Sequence, residues 1–288
     1  MKKKFIVLGL ITAMTISMVA CGNDDKSNNE TTNGKETTDT TVAKDEDESG
    51  NGDTTDKKDD TVDEVSDEYL LSLEETTVED FNYHEMDDGN IAIDRYWGTG
   101  GGDVVIVVPQ EINGKKVTKI STEAFNRVYA KAVVLGENIT ELSTKSFTSV
   151  SLDKLVIAGP VVKLEEDTFG SSTVSAISLP KTLEEIGIGA FNMCNIDEIK
   201  FPSSLKKIGD SAFINSGLKK VYFEGGQVEV GMMAFSNCRE LTEVHISDGD
   251  VQFGQYVFER TDNVTIFTSS GSAAEEYAKA NGINYENE

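Results

Sequence analysis

The stretch that decides the fold runs from Leu179 to Phe213: LPKTLEEIGIGAF (179–191), a link NMCNIDEIK (192–200), then FPSSLKKIGDSAF (201–213). The second segment restates the first: a Pro, a Leu three residues on, an Ile three beyond it, and a closing Ala-Phe pair. Counting outward, the phenylalanine returns at Phe125, Phe147, Phe169, Phe191, Phe213, Phe235 and Phe258, at intervals of 22 residues five times and 23 once. A fixed period near twenty is the signature of a solenoid.

Each copy carries a strand signal. Fourteen and twelve residues before an anchor Phe stand apolar pairs such as Val133/Leu135, Leu155/Ile157, Ile199/Phe201 and Val221/Phe223, and apolar residues two apart mark one face of a strand. The prolines Pro109, Pro160, Pro180 and Pro202 follow such strands, where a missing N–H interrupts no ladder. Five residues before each Phe another apolar knob recurs (Ile120, Leu142, Leu164, Ile186, Ile208, Val230, Phe253). One coil is therefore a strand, a turn, an inward-facing extended return and a tight turn bearing the Phe. The fold class is a β-rich solenoid of about 22-residue coils with one strand per coil, stacked at about 4.8 Å.

The ends need caps, because an open coil exposes its apolar edge. At the front, Ile91/Ile93 and Val104 to Val108 read as paired strands joined through Tyr96, Trp97 and the run GTGGGD. That run lacks the GK[ST] ending of a phosphate loop and is expected to be a hairpin turn. An insertion, Glu111 to Lys116, follows Pro109. At the back, Ser272 and Glu275 form a capping box and Gly282 a stop, framing one short helix with Ala273, Tyr277 and Ala278 on a face.

Ahead of the repeats the chain changes character. Met1 to Lys4 is basic, Phe5 to Ala20 is apolar and short for a membrane span, and Cys21-Gly22 follows, which reads as a secretory signal. Met18-Val19-Ala20-Cys21 resembles a bacterial lipobox, which implies cleavage before Cys21 and lipid on its new N-terminus. From Gly22 to Asp67 there are sixteen acidic residues and almost no apolar ones, the composition of a disordered tether. Within it Asp45, Asp47, Ser49, Gly50, Asp53 and Asp56 fall near calcium-loop spacing, but Gly52 stands where an aliphatic residue belongs, and no cation is expected. The expected divisions are a signal peptide (1–20), a tether (21–67), an N-terminal cap (68–105) and the repeat domain with its C-terminal cap (106–288). A net charge of −25 argues against nucleic-acid partners.

Catalytic signals are sparse. His84 and His245 lie far apart without a nucleophile motif near either. Cys194 and Cys238 each stand three residues after an anchor Phe, two coils apart. That separation of roughly 10 Å exceeds disulfide reach. No metal-ligand spacing is present, so neither cofactor nor enzymatic activity is expected. The strands instead offer an outward ladder: Val107, Val134, Val156, Ser178, Lys200, Tyr222, His245 and Thr265, with Lys200, Tyr222 and His245 the expected ligand contact.

The pattern IxLPxxLxxIGxxAF resembles the BspA-like leucine-rich repeat of bacterial surface proteins, over about Asp88 to the C-terminus. The resemblance implies a leucine-rich-repeat fold and adhesion to, or interaction with, host or neighbouring-cell surface components, protein or glycan, for which the strand ladder is the expected contact. The lipobox adds a lipid-anchored, extracytoplasmic location, and the caps and net charge argue for a monomer. The alternative is an accessory envelope lipoprotein with a partner from its own cell. A solute-capturing transport lipoprotein would need alternating helices and strands in two lobes, which the repeats exclude.

Overall fold

The computed structural model describes residues 65–247 and 249–288. The expected signal peptide, Cys21, the calcium-like spacing and nearly all of the expected tether lie outside the described residues.

The strands are β1 (Phe81–Glu85), β2 (Ile91–Tyr96), β3 (Gly101–Val107), β4 (Glu111–Ile112), β5 (Lys115–Ile120), β6 (Tyr129–Leu135), β7 (Glu141–Leu142), β8 (Ser151–Ile157), β9 (Lys163–Leu164) and β10 (Thr173–Ser178). They continue as β11 (Glu185–Ile186), β12 (Glu198–Phe201), β13 (Lys207–Ile208), β14 (Lys220–Phe223), β15 (Gly226–Val230), β16 (Glu243–Ile246), β17 (Gly249–Phe253), β18 (Thr265–Thr268) and β19 (Asn284–Asn287). The chain winds as a leucine-rich-repeat solenoid, and each coil contributes two strands where one was expected. The extended return is itself hydrogen-bonded: β1-β2-β5-β7-β9-β11-β13-β15-β17 form one continuous sheet, with β4 paired to β5 at its side. The long strands form two sheets, β10-β8-β6-β3 and β12-β14-β16-β18-β19. Between β10 and β12 only the bridge Thr173↔Asn195 remains. The 22-residue spacing from Phe169 to Phe191 is kept there, so the break is a splay between neighbours and not a slip of register.

The core is a column of rings. Phe125, Phe147, Phe169, Phe191, Phe213 and Phe235 are wholly buried and Phe258 nearly so. Successive ring centroids lie 4.8 to 5.8 Å apart with interplanar angles of 28° or less. Tyr96 continues the stack beyond Phe125 at 6.0 Å, and Phe81 closes it. This arrangement corrects the expected front hairpin. Strands β2 and β3 do not pair; β2 joins the return sheet and β3 pairs with β6. The run GTGGGD is the corner of a further coil, in which Tyr96 stands in the phenylalanine column. The insertion after Pro109 folds as the β4–β5 hairpin on an Asn113-Gly114 turn with both residues at positive φ (54° and 76°).

The turn that carries each Phe has a strict backbone. The residues two before and two after it are left-handed in every coil: Glu123/Arg127, Lys145/Ser149, Asp167/Ser171, Gly189/Met193, Ser211/Asn215, Met233/Asn237 and Tyr256/Arg260. The twist aims alternate N–H groups along the solenoid axis. In the Phe191 coil, Gly189 N donates to Asp210 O (3.1 Å), Phe191 N to Ala212 O (2.7 Å) and Met193 N to Ile214 O (2.9 Å). These bonds satisfy buried backbone groups and offset the strain. None of the fourteen positions is β-branched, the side-chain class that tolerates positive φ least. Ser211→Val is therefore expected to cost about 1–2 kcal/mol in a urea titration, while Ser211→Gly stays near wild type.

The Ile-Gly step of the repeat has a steric cause. A Cβ on Gly209 would lie 2.8 Å from the carbonyl carbon of Gly187 and from Ile188 N, both backbone atoms of the preceding coil. At the far end, helix α2 (Ala273–Asn281) begins on Ser272, whose hydroxyl accepts from Glu275 N, and stops at Gly282 with φ 67°. It buries Ala274 and Ala278, with Tyr277 against Phe253 and Phe258; Ala274, not Ala273, shares that face. Strand β19 then pairs parallel with β18 and extends the last sheet.

Candidate functional site

The strand face was the expected site, and the structure divides it in two. The apolar residues expected on an open ladder, Val107, Val134 and Val156, are buried, with Val134 and Val156 only 1% and 2% exposed. Their cover is the chain's own segment from Val65, which forms the short helix α1 (Asp67–Leu71) capped by Ser66. Leu70 packs on these valines and Ala132, with Val65, Leu73 and Val105 around it. Lys154 Nζ donates to Val65 O (2.9 Å) and pairs with Asp67 Oδ1 (2.8 Å). Residues 65–67 were expected in the tether; composition assigned them there, whereas an apolar stripe that needs cover holds them to the sheet. Ser178 sits at the border, its hydroxyl hydrogen-bonded to Asp67. Burial works to raise the Asp67 pKa, but the Lys154 and Ser178 hydrogen bonds outweigh it and hold the carboxyl below its ordinary range.

Beyond Ser178 the face is open, and Lys200, Tyr222 and His245 come together there. Parallel pairing sets Lys200 opposite Tyr222 and Tyr222 opposite His245. The next partner is Phe267, not Thr265, because His245 pairs with Phe267 and Thr265 with Glu243. Tyr222 and His245 stack at 4.9 Å and 8°, His245 and Phe267 at 4.4 Å and 7°, and Lys200 Nζ lies 5.7 Å from the Tyr222 ring centre. Sequence reasoning missed Phe267 because Thr268 fills an inward position that is apolar in neighbouring coils. It is buried and bonded to Ser272. No anchor Phe follows this strand to count back from; counting nine residues forward from Phe258, as Lys200 stands nine after Phe191 and Tyr222 nine after Phe213, finds Phe267.

Carboxylates edge this column. Glu243 Oε2 lies 3.1 Å from His245 Nε2 and 3.0 Å from Lys220 Nζ, and Glu288 Oε1 is 3.5 Å from His245 Nδ1. Hydrogen bonds from His245 first, then Lys220, hold the Glu243 carboxyl below its usual range. The arrangement offers three flat rings in one row with charged groups at its margins.

A second periodic feature lies on the return sheet. Lys119, Glu141, Lys163, Glu185, Lys207 and Glu229 alternate at 22-residue steps and face one another across the ladder. Lys119 pairs with Glu141, while Lys163 and Lys207 both reach Glu185, at 3.9 and 3.5 Å. Exposed pairs of this kind contribute about 0.2–1 kcal/mol each, so they set register more than stability.

The other reactive side chains singled out in the sequence, His84, Cys194 and Cys238, lie off this strand face. His84 Nδ1 contacts Asp94, but Ser121 Oγ also donates to Asp94 Oδ1 (2.9 Å), so the carboxylate separates hydroxyl from imidazole and no nucleophile–base pair forms. Cys194 and Cys238 are free and buried in a column of small residues that ties coils together. In it Ser172 Oγ donates to Phe147 O (2.8 Å), Cys238 Sγ to Phe213 O (3.0 Å) and Thr261 Oγ1 to Phe235 O (2.8 Å). Burial pushes the Cys194 thiol up to about 12 and raises Cys238 as well. Both thiols should resist a thiol-reactive chromogenic disulfide in the native protein and react only on unfolding; rapid native reaction of either would contradict this packing. Among the described residues no group of three or more His, Cys, Asp or Glu is placed to hold a metal ion.

The model of the BspA type leucine rich repeat region matches in six copies, over residues 110–219 and 162–280. No curated protein sequence matches the chain. Among solved structures, a leucine-rich repeat protein of T. pallidum aligns with 22% identity over 75% of this chain and 98% of its own, at a TM-score of 0.44. One from Bacteroides ovatus aligns with 14% identity over 68% and 85% at 0.38, and the pneumococcal vaccine antigen PcpA with 12% over 76% and 99% at 0.39.

Proposed function

Because this chain belongs to the BspA-type leucine-rich repeat family, we propose that it is a non-enzymatic recognition protein, held on the bacterial cell membrane by lipid on Cys21 and exposed at the surface. Solenoids of this class typically serve as binding scaffolds, and fold alone does not name the ligand. The site must be argued from its residues.

The observation that carries the proposal is the open Lys200–Tyr222–His245–Phe267 column. Aromatic side chains supply large contact area at low entropic cost. Their parallel stacking also discriminates between ligand classes. Rings spaced 4.4 and 4.9 Å apart cover one another's faces and leave edges for a ligand. A sugar would stack on an open face. Ring edges carry the positive end of the quadrupole and, with the Tyr222 hydroxyl, favour carbonyl and carboxylate acceptors. The reading is a protein ligand, from a host or a neighbouring cell.

The test immobilises the chain in its non-lipidated Cys21→Ser form and presents matrix proteins, glycans and extracts of its own envelope. Saturable binding to a host protein is expected, and a Tyr222→Ala/His245→Ala/Phe267→Ala form should bind at least about thirtyfold more weakly, the loss of one hot spot of about 2 kcal/mol. Binding to glycans alone, or binding indifferent to the triple change, would overturn the reading. Binding only to an envelope protein would move the function to an accessory role within the cell's own surface. Separately, wild-type protein should partition into detergent, and a Cys21→Ser form produced without residues 1–20 into water; aqueous partition of both would remove the anchor.

A further inference from the structure

The covered half of the strand face has features of a docking seat in its own right. Leu70, Val107, Ala132, Val134 and Val156 form an apolar cluster separate from the main core, so lifting the cover leaves the phenylalanine column closed. The cover is α1, five residues long. A helix that short does not hold in water by itself, so its order is conferred by the seat. It also underfills that seat. Tyr69 and Leu71 remain 56% and 43% exposed. Beside the helix runs a groove of about 810 Å³ lined by Leu73, Val105, Ala132 and Ala176, and on its other flank a second of about 500 Å³ is lined by Val156, Pro160 and Leu179.

We propose that this apolar half is a second docking surface, for a short amphipathic helix of a partner protein, and that the segment Val65–Leu73 is its resident, displaceable occupant. The resident defines the chemistry of its competitor. A leucine must reach the valine seat. An acid three residues before it must meet Lys154, as Asp67 does. Apolar residues beside that leucine, on a longer helix, would fill the grooves that Tyr69 and Leu71 only edge. The hinge lies at Thr76, whose N–H donates to Val107 O (2.9 Å) and whose hydroxyl accepts from Val107 N (3.0 Å). This proposal stands apart from the reading of the aromatic column, which occupies the other half of the face.

The probe is a labelled peptide of residues 65–77, VSDEYLLSLEETT. In the wild-type chain the tethered segment competes at an effective concentration in the millimolar range. The peptide should therefore bind the full-length Leu70→Ala protein at least about tenfold more tightly than wild type, and a Leu70→Ala peptide should bind neither. No binding to a Leu70→Ala protein with wild-type circular dichroism, or equal binding to both proteins, overturns the proposal. Amide exchange of the wild type provides the check if that variant fails to fold. Residues 68–73 should exchange by local opening, well before β6 and β8. Exchange of all three together would make the segment a fixed part of the fold and end the proposal.

Discussion

Phe191→Ala is expected to lower the unfolding free energy by about 4 kcal/mol and to split the urea transition in two. The ring is wholly buried and stacks on Phe169 at 4.9 Å and on Phe213 at 4.8 Å. Truncating a buried Phe costs about 3–5 kcal/mol, and the two ring contacts fall with it. In a solenoid each coil is stabilised chiefly by its neighbours, so a central defect uncouples the halves. Phe258→Ala should behave otherwise. Phe258 has one phenylalanine neighbour in the column, at 5.8 Å, and is 6% exposed. A smaller loss in a single transition is expected there. Equal effects at both positions would show that the column does not transmit stability along the axis.

The second large effect is expected at Gly159. A Cβ there would sit 1.9 Å from Ile139 O and 2.8 Å from its carbonyl carbon. Neither contact can be relieved by turning a side chain, so one coil must move relative to the next. Overpacking of this kind costs about 1–3 kcal/mol, and Gly159→Ala should reach the upper end. Gly209→Ala, at 2.8 Å from backbone atoms, should cost less. The order Gly159→Ala above Gly209→Ala in a denaturation series is the checkable outcome; reversal would mean that coil spacing is softer at Gly159.

These effects follow from features that were legible in the chain. The 22-residue return of Phe fixes coil length, and the apolar pairs before it fix which strand face is inward. Reading failed where one residue broke the local pattern. Tyr96 in place of Phe hid the first coil, so a Gly-rich corner looked like a hairpin. Thr268, polar at an inward position, moved the last register by two residues and concealed Phe267. Leu70 stands beside an acid-rich segment, and composition alone could not show that an apolar stripe far along the chain needed it. Pairing along the return sheet was also missed, although the alternation of Lys and Glu from Lys119 to Glu229 carries it at the repeat period.

The claim at the centre of this account is that the open aromatic column is the recognition surface. Amide exchange of the chain, free and bound to the protein ligand found by the binding panel, tests it most directly. Protection confined to β12, β14, β16 and β18 is the predicted result. Protection confined to the Lys–Glu strands of the return sheet, or to the phenylalanine turns, would place recognition on another face and contradict it.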